Sequence, residues 1–350
     1  MNFDLLKKLC FSFGVSGGEK EIADAIIDEI SEVADEVKTD RFGNVYASYK
    51  SGENLPTVVL DAHMDSVGFV ISETCENGFL KFQSVGGVDP NVLPGTEVTV
   101  NGKTGVIASK PPHLMTDKDR ERPLSIGDMH VDTGYLKESS NIKKGDLVSY
   151  KPYLEKMGNS VTGTYLDDRI GCCIIIELFK KLRGRKLPFN LIGIFTKQEE
   201  IGLVGAKFFE NTADLCIVID VTHGKTPDEK SDESFYCGKG CTLGVGPNSS
   251  PYYNKVIEEL CVKNDIPYQT EVLEGNSGTN AWRYQVSGNG LPCVILSIPL
   301  KFMHTPVETV SVFDIENAED ILTEFLLNMG DKYEFISNIK SLKQEINNEF

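Results

Sequence analysis

The sequence is short of positive charge. Its 350 residues carry 35 Lys and Arg against 52 Asp and Glu, a formal net charge of −17. A nucleic-acid partner needs basic surface to displace counterions, so that class is excluded. An anionic membrane surface is excluded on the same ground. Long apolar runs are missing too, and none approaches the roughly 18 residues of a membrane span. The nine cysteines are dilute and include no C-x-x-C pair, which rules out a disulfide framework. Cys172, Cys173, Cys216 and Cys293 lie in apolar runs and read as core packing in a reducing compartment. No basic segment precedes an apolar one in Met1–Lys8, so a secretory signal is not expected and a cytoplasmic location is. Repeats and low-complexity tracts are absent. What remains is an ordinary globular composition, long enough for two domains or one elaborated domain.

Leu5, Leu6 and Leu9 mark a first short helix, broken by Gly14–Gly18. Ser16 and Glu19 have the spacing of a capping box, ahead of a helix from Glu19 to about Asp35 with Ile22, Ile26, Ile27, Ile30 and Val33 on one face. Val45–Tyr49 alternates as a strand, and Thr57–Leu60 is the continuous apolar run of a buried central strand. From Gly68 to about Val161, short alternating runs separated by Gly-rich turns predict a small all-β unit inserted into the chain. Lys110–Arg122 reads as a long loop within it. Beyond the insert, buried strands (Leu191–Phe195, Leu215–Ile219, Cys293–Ile298) alternate with helices (Ile170–Leu182, Glu199–Glu210, Tyr252–Asn264, Val312–Met329). That pattern predicts an α/β domain formed by residues 1–67 and 162–350, with a mixed, mostly parallel sheet between helices, and residues 68–161 as the insert.

The ends of the buried runs carry the chemistry. Thr57–Leu60 leads to His63 and Asp65, Leu191–Phe195 to Glu199 and Glu200, Leu215–Ile219 to Asp220, and Cys293–Ile298 to His304; Asp167 and Asp168 open a helix. Ligands of open α/β sheets bind outside the carboxyl ends of the strands, so two His and several carboxylates are expected at one edge. Each piece has an ordinary alternative: Asp167 as a helix cap, Glu199-Glu200 as a first turn suited to the helix dipole, His304 as a structural histidine. Together they have the composition of a two-metal site for Zn²⁺, Mn²⁺ or Co²⁺.

Leu60-Asp61-Ala62-His63-Met64-Asp65, Tyr165-Leu166-Asp167-Asp168-Arg169, Glu199-Glu200-Ile201-Gly202 and Met303-His304-Thr305-Pro306 resemble the motifs of the dinuclear metallo-aminopeptidases that assemble as tetrahedral particles. These are the glutamyl or deblocking aminopeptidases, once also labelled endoglucanases. Gly14-Val15-Ser16-Gly17, Lys110-Pro111-Pro112-His113-Leu114, Val131-Asp132-Thr133-Gly134 and Gly278-Thr279-Asn280-Ala281 extend the resemblance from the first helix to the last strand.

The resemblance implies a zinc-exopeptidase-like fold with a barrel or PDZ-like insert used for assembly, dimers building a dodecamer, and short peptides as substrates. His63, Asp167, Glu200, Asp220 and His304 would bind two divalent ions (Zn, Co or Mn). Asp167 would bridge the ions, with Asp168 supporting it and the alternative of Asp168 as bridge left open. Which of His63 and His304 serves which ion is also open. Glu199 would be the general base, and Asp65 would orient His63. His113 would be structural or at a subunit contact; His130 and His223 match no ligand position. Ser66, Asn280 and Lys301-Phe302 depart from the family's pattern at non-ligand positions and bear on specificity and rate. The competing functions are a deacylase or carboxypeptidase-like amidohydrolase on the same centre, and a catalytically weak assembly subunit. A glycosidase would need paired carboxylates but not two His.

Overall fold

A computed structural model describes residues 1–134, 141–209, 213–227, 234–288 and 290–329. The chain builds an 11-stranded mixed sheet and a closed six-stranded barrel. The four apolar runs at the centre of the sheet lie side by side in the order Asn190–Thr196, Thr57–His63, Leu215–His223, Cys293–Lys301, and all three pairings are parallel. Strands buried on both faces read as continuous apolar sequence, which is why these runs are so plain. Off this row, Thr242–Val245 pairs antiparallel with Cys293–Lys301 and parallel with Gln269–Val272. Val45–Tyr49 and Glu36–Thr39 extend one edge antiparallel. Glu308–Ser311, Ser160–Gly163 and Leu154–Met157 extend the other, also antiparallel.

Alternation sorts the central strands between two cores. Val58, Leu60 and Ala62 join Ile217, Ile219, Val294 and Leu296 beneath the long helices Leu166–Leu182 and Val312–Asn328. Val59 faces the other way, with Ile194, Val218 and Ile295, under the short helix Ala281–Tyr284. The helical cover is therefore heavy on one face and thin on the other. Among the described residues no helix is long and apolar enough to cross a membrane.

The barrel takes its strands from Gly68–Thr74 through Leu147–Tyr150. Phe69 centres its core, edge-on to Phe82 at 5.1 Å and to Tyr150 at 5.4 Å. It is tied to the sheet at the chemically rich edge, where the Tyr150 hydroxyl donates to the His304 carbonyl at 3.2 Å.

Several local expectations change. The helix after Gly18 runs only over Lys20–Ile30 and has no capping box. The Ser16 hydroxyl donates instead to the Asp65 carboxylate, and Glu19 accepts from the Gly17 N–H and pairs with Lys197 at 3.0 Å. Burial of Asp65 and Glu19 makes these longer-range partners worth more than a local cap. Glu199–Glu210 is not an α-helix: turns lead to a single 3₁₀ turn, Gly205–Phe208. Gly202 and Leu203 adopt positive φ (117° and 56°), which a helix cannot contain. Glu210 lies outside the described residues. Lys110–Arg122 holds a 3₁₀ turn, Pro112–Leu114, and a short helix, Asp117–Glu121, opened by a Thr116–Asp119 capping box.

The fully buried Ile217 lies between two parallel neighbours, so its surroundings have little freedom to collapse. Ile217→Ala is expected to cost about 2–5 kcal/mol, read as a lowered urea midpoint with unchanged slope.

Candidate metal centre

The sheet brings the residues singled out above to one place. His63 ends its strand, and its Nε2 lies 3.0 Å from Asp167 Oδ1 and 3.9 Å from Asp220 Oδ1. His304 Nε2 lies 3.2 Å from both Asp167 Oδ2 and Glu200 Oε2. Among the described residues, two groups therefore present ligand atoms close enough to share a metal ion: His63, Asp167 and Asp220; and Asp167, Glu200 and His304. Asp167 belongs to both, one oxygen facing each. Asp220 sits inside its strand rather than beyond it, because that strand continues to His223.

Each imidazole is oriented by its other nitrogen, a common device in metal sites. His304 Nδ1 is 2.7 Å from the Gly87 carbonyl, a barrel-side contribution. His63 Nδ1 is 3.2 Å from the backbone carbonyl of Asp65 and 3.6 Å from its carboxylate. The Asp65 carboxylate accepts instead from the Glu199 N–H at 2.9 Å, the Glu200 N–H at 3.3 Å and the Ser16 hydroxyl. It fixes the turn that carries both glutamates.

Glu308 carried no signal in the sequence, yet it performs the matching task. Its buried carboxylate accepts from the backbone N–H of His304 at 2.8 Å and of Asp167 at 3.2 Å. Only the fold reveals that these residues meet. His304 is also held at φ 63°, a conformation that costs a non-glycine residue about 1–3 kcal/mol and persists where neighbours enforce it.

Burial controls the electrostatics. It pushes the Glu199 carboxyl well up, with Asp220 and Glu200 adding repulsion. It raises Glu200 to about 8, with Asp167 adding repulsion, and Asp220 to about 7, with Asp167 again adding. Asp168 is pushed well up by burial and then by Asp220. Burial would raise Asp167 as well, but the two imidazoles prevail and hold it below the usual carboxylate range. Burial alone would lower His304; Asp167 and Glu200 instead lift it to about 10. Glu200 Oε1 and Asp168 Oδ2 are buried without a hydrogen-bond partner. An imidazole–carboxylate donor set with surplus buried negative charge and open lone pairs fits divalent cations, which take the place of protons on such ligands.

The cluster lines a cavity of about 470 Å³ whose wall also includes Thr222, Glu271, Leu273 and Ile295. His223 is exposed and lines it too, so it stands nearer the centre than its lack of a motif implied. His130 packs edge-on against Phe79 in the barrel. Of the departures, Asn280 has a definite task. Its amide donates to Asp61 at 2.9 Å and to Thr196 at 2.7 Å, while Tyr284 donates to the other Asp61 oxygen at 2.7 Å. An acid at 280 would set a second carboxylate against the buried Asp61. Ser66 turns away, its hydroxyl donating to the Gly14 carbonyl at 3.3 Å.

The sequence profile of the M42 glutamyl aminopeptidases matches residues 43–321. A putative aminopeptidase of Acetivibrio thermocellus is 36% identical over 331 residues, 92% of this chain and 97% of that protein. Lysyl aminopeptidase of Pyrococcus furiosus is 33% identical, covering 91% and 94%. Among solved structures, the TET aminopeptidase of a marine-sediment thaumarchaeon superposes with a TM-score of 0.86 at 30% identity, covering 92% and 95%. The Pyrococcus horikoshii TET1 peptidase, which can assemble into a tetrahedron or a large octahedral shell, does so with 0.79 at 30% identity, covering 92% and 98%. On the length and identity of these matches, the chain belongs to the M42 glutamyl aminopeptidase family.

Proposed function

We propose that the protein is a two-metal aminopeptidase that removes N-terminal residues from short peptides. The observation that carries this reading is the division of Asp167 between two ligand groups on the wall of one cavity. His63, Asp167 and Asp220 would hold one ion, and Asp167, Glu200 and His304 the other, with Zn, Co or Mn suited to such donors. Bound there, the ions would polarise the scissile carbonyl and bring proton loss from a water toward neutral pH. Glu199 lines the cavity outside both groups. It takes the proton from water and delivers it to the departing amine. Its burial favours the protonated form, which serves the second half of that transfer. Asp168 and Glu308 hold the Asp167 region in place, and Asp65 holds Glu199 and Glu200. The free amine of a peptide finds surplus carboxylate in the same cavity.

The insert, residues 68–161, is read as an assembly module, with the protein a homo-oligomer of dimers building a dodecamer. The shells formed by the TET1 peptidase support this. All nine cysteines are free, which supports a reducing, cytoplasmic setting.

Hydrolysis is tested with metal-loaded protein on free and N-blocked peptides, release of N-terminal residues from the free set being expected. Cleavage confined to blocked substrates would favour the deacylase. Glu199→Gln should lower kcat by roughly 10²–10⁴ while bound metal stays at two ions per chain. Unchanged turnover would remove Glu199 from the mechanism. Asp65→Ala frees the turn that carries Glu200 and should weaken metal affinity by about 10–100-fold, measured by chelator competition. Light scattering of the purified protein should give the mass of twelve chains; a monomer would exclude the assembly.

A further inference from the structure

The cavity holds a second polar feature, separate from the ligand cluster. Glu271, on the strand Gln269–Val272, lines it, and both its carboxylate oxygens are held from behind. The Thr222 hydroxyl donates to one at 2.7 Å and the Thr242 hydroxyl to the other, also at 2.7 Å. Both threonines are buried. An ionised carboxylate has about four acceptor positions, so the two threonines fix its orientation and leave capacity on the cavity side.

Its position relative to the cluster follows from the strands. Thr222 lies two residues beyond Asp220 on the same strand, and residues so spaced share a face about 7 Å apart. A substrate whose scissile carbonyl sits at the cluster can extend its first side chain along that face toward Glu271. The same cavity lining includes Leu273 and Ile295, apolar surface that suits a methylene stem. Among the described residues the lining has no Lys or Arg, and apart from the cluster's own acids Glu271 is its one carboxylate. His223 is the remaining titratable group on that wall.

We propose that Glu271 makes this cavity select N-terminal residues with long cationic side chains, lysine or arginine. Their stems are apolar and their heads charged, which matches a cavity with apolar lining and a fixed carboxylate. Acidic N-terminal residues are repelled by the same group. The assignment rests on the aminopeptidase reading and names its substrate class.

The test is calorimetric binding of L-lysine hydroxamate and L-norleucine hydroxamate to the metal-loaded protein. The two share the metal-binding group and the stem and differ in the terminal ammonium. The wild type should bind the lysine compound at least roughly tenfold more tightly, about 1.4 kcal/mol. Glu271→Gln keeps the shape and removes the charge. It should bring the two affinities within about twofold, by weakening the lysine compound alone. Equal affinities in the wild type, or an unchanged ratio in Glu271→Gln, would overturn the proposal, and the wild-type ratio decides even if the variant does not fold. Hydrolysis of lysyl- and norleucyl-peptides is measured in parallel. Loss of all hydrolysis with the binding ratio intact counts against the aminopeptidase reading and not against the role of Glu271.

Discussion

Buried negative charge is the constraint on which the working edge of this protein depends. Asp167, Asp168, Glu199 and Asp220 are buried with the side chain of Glu200, and Glu308 lies behind them. Among the described residues, the His63 and His304 imidazoles are the cationic partners that pair with it. A carboxylate removed from water loses far more solvation than one hydrogen bond returns, so such a cluster either holds protons or recruits cations. The raised pKa values of Glu200 and Asp220 express the first option. The shared position of Asp167 provides for the second.

The scaffold carboxylates behind this charge are held largely by main-chain donors. Asp65 gathers two successive N–H groups from the Glu199 turn, and Glu308 gathers those of His304 and Asp167. Backbone dipoles stabilise charge without adding a competing cation. Four parallel strands bring the segments to one edge, and the barrel adds the Gly87 carbonyl and the Tyr150 hydroxyl. The insert is therefore joined to the chemistry directly, through two of the atoms that steady His304.

Much of this was legible in the sequence because parallel strands advertise themselves as uninterrupted apolar runs, and the chemistry follows at their ends. His63, Glu200, Asp220 and His304 could be picked out that way, Asp167 stood out at the start of a helix, and the five lie together. The extents of the antiparallel edges could not, since Glu36–Thr39 and Leu154–Met157 are short and largely exposed. Glu308 stayed hidden because a single acid on a four-residue strand has no local pattern. The Ser16–Glu19 spacing misled for a related reason: a capping box is a local solution, and the distant, buried Asp65 offered the Ser16 hydroxyl a stronger partner.

The net charge of −17 can be sorted by asking which donors face each carboxylate. Among the described residues, acids such as Glu21, Asp24 and Asp28 on the Lys20–Ile30 helix are exposed and face water. Asp65 has three protein donors and Glu308 two main-chain donors, and both act as scaffold. Glu200 Oε1 and Asp168 Oδ2 are buried with none, a condition that a proton or a cation relieves. Glu271 is intermediate, with two hydroxyl donors behind it and an open cavity in front. Its remaining lone pairs can be met only by water or by what enters the cavity. An ammonium at the end of an apolar stem meets them, whereas a neutral side chain of equal length leaves the carboxylate to water. The difference between those two outcomes is a preference set by one fixed charge, independent of the metal chemistry that any N-terminal residue would share.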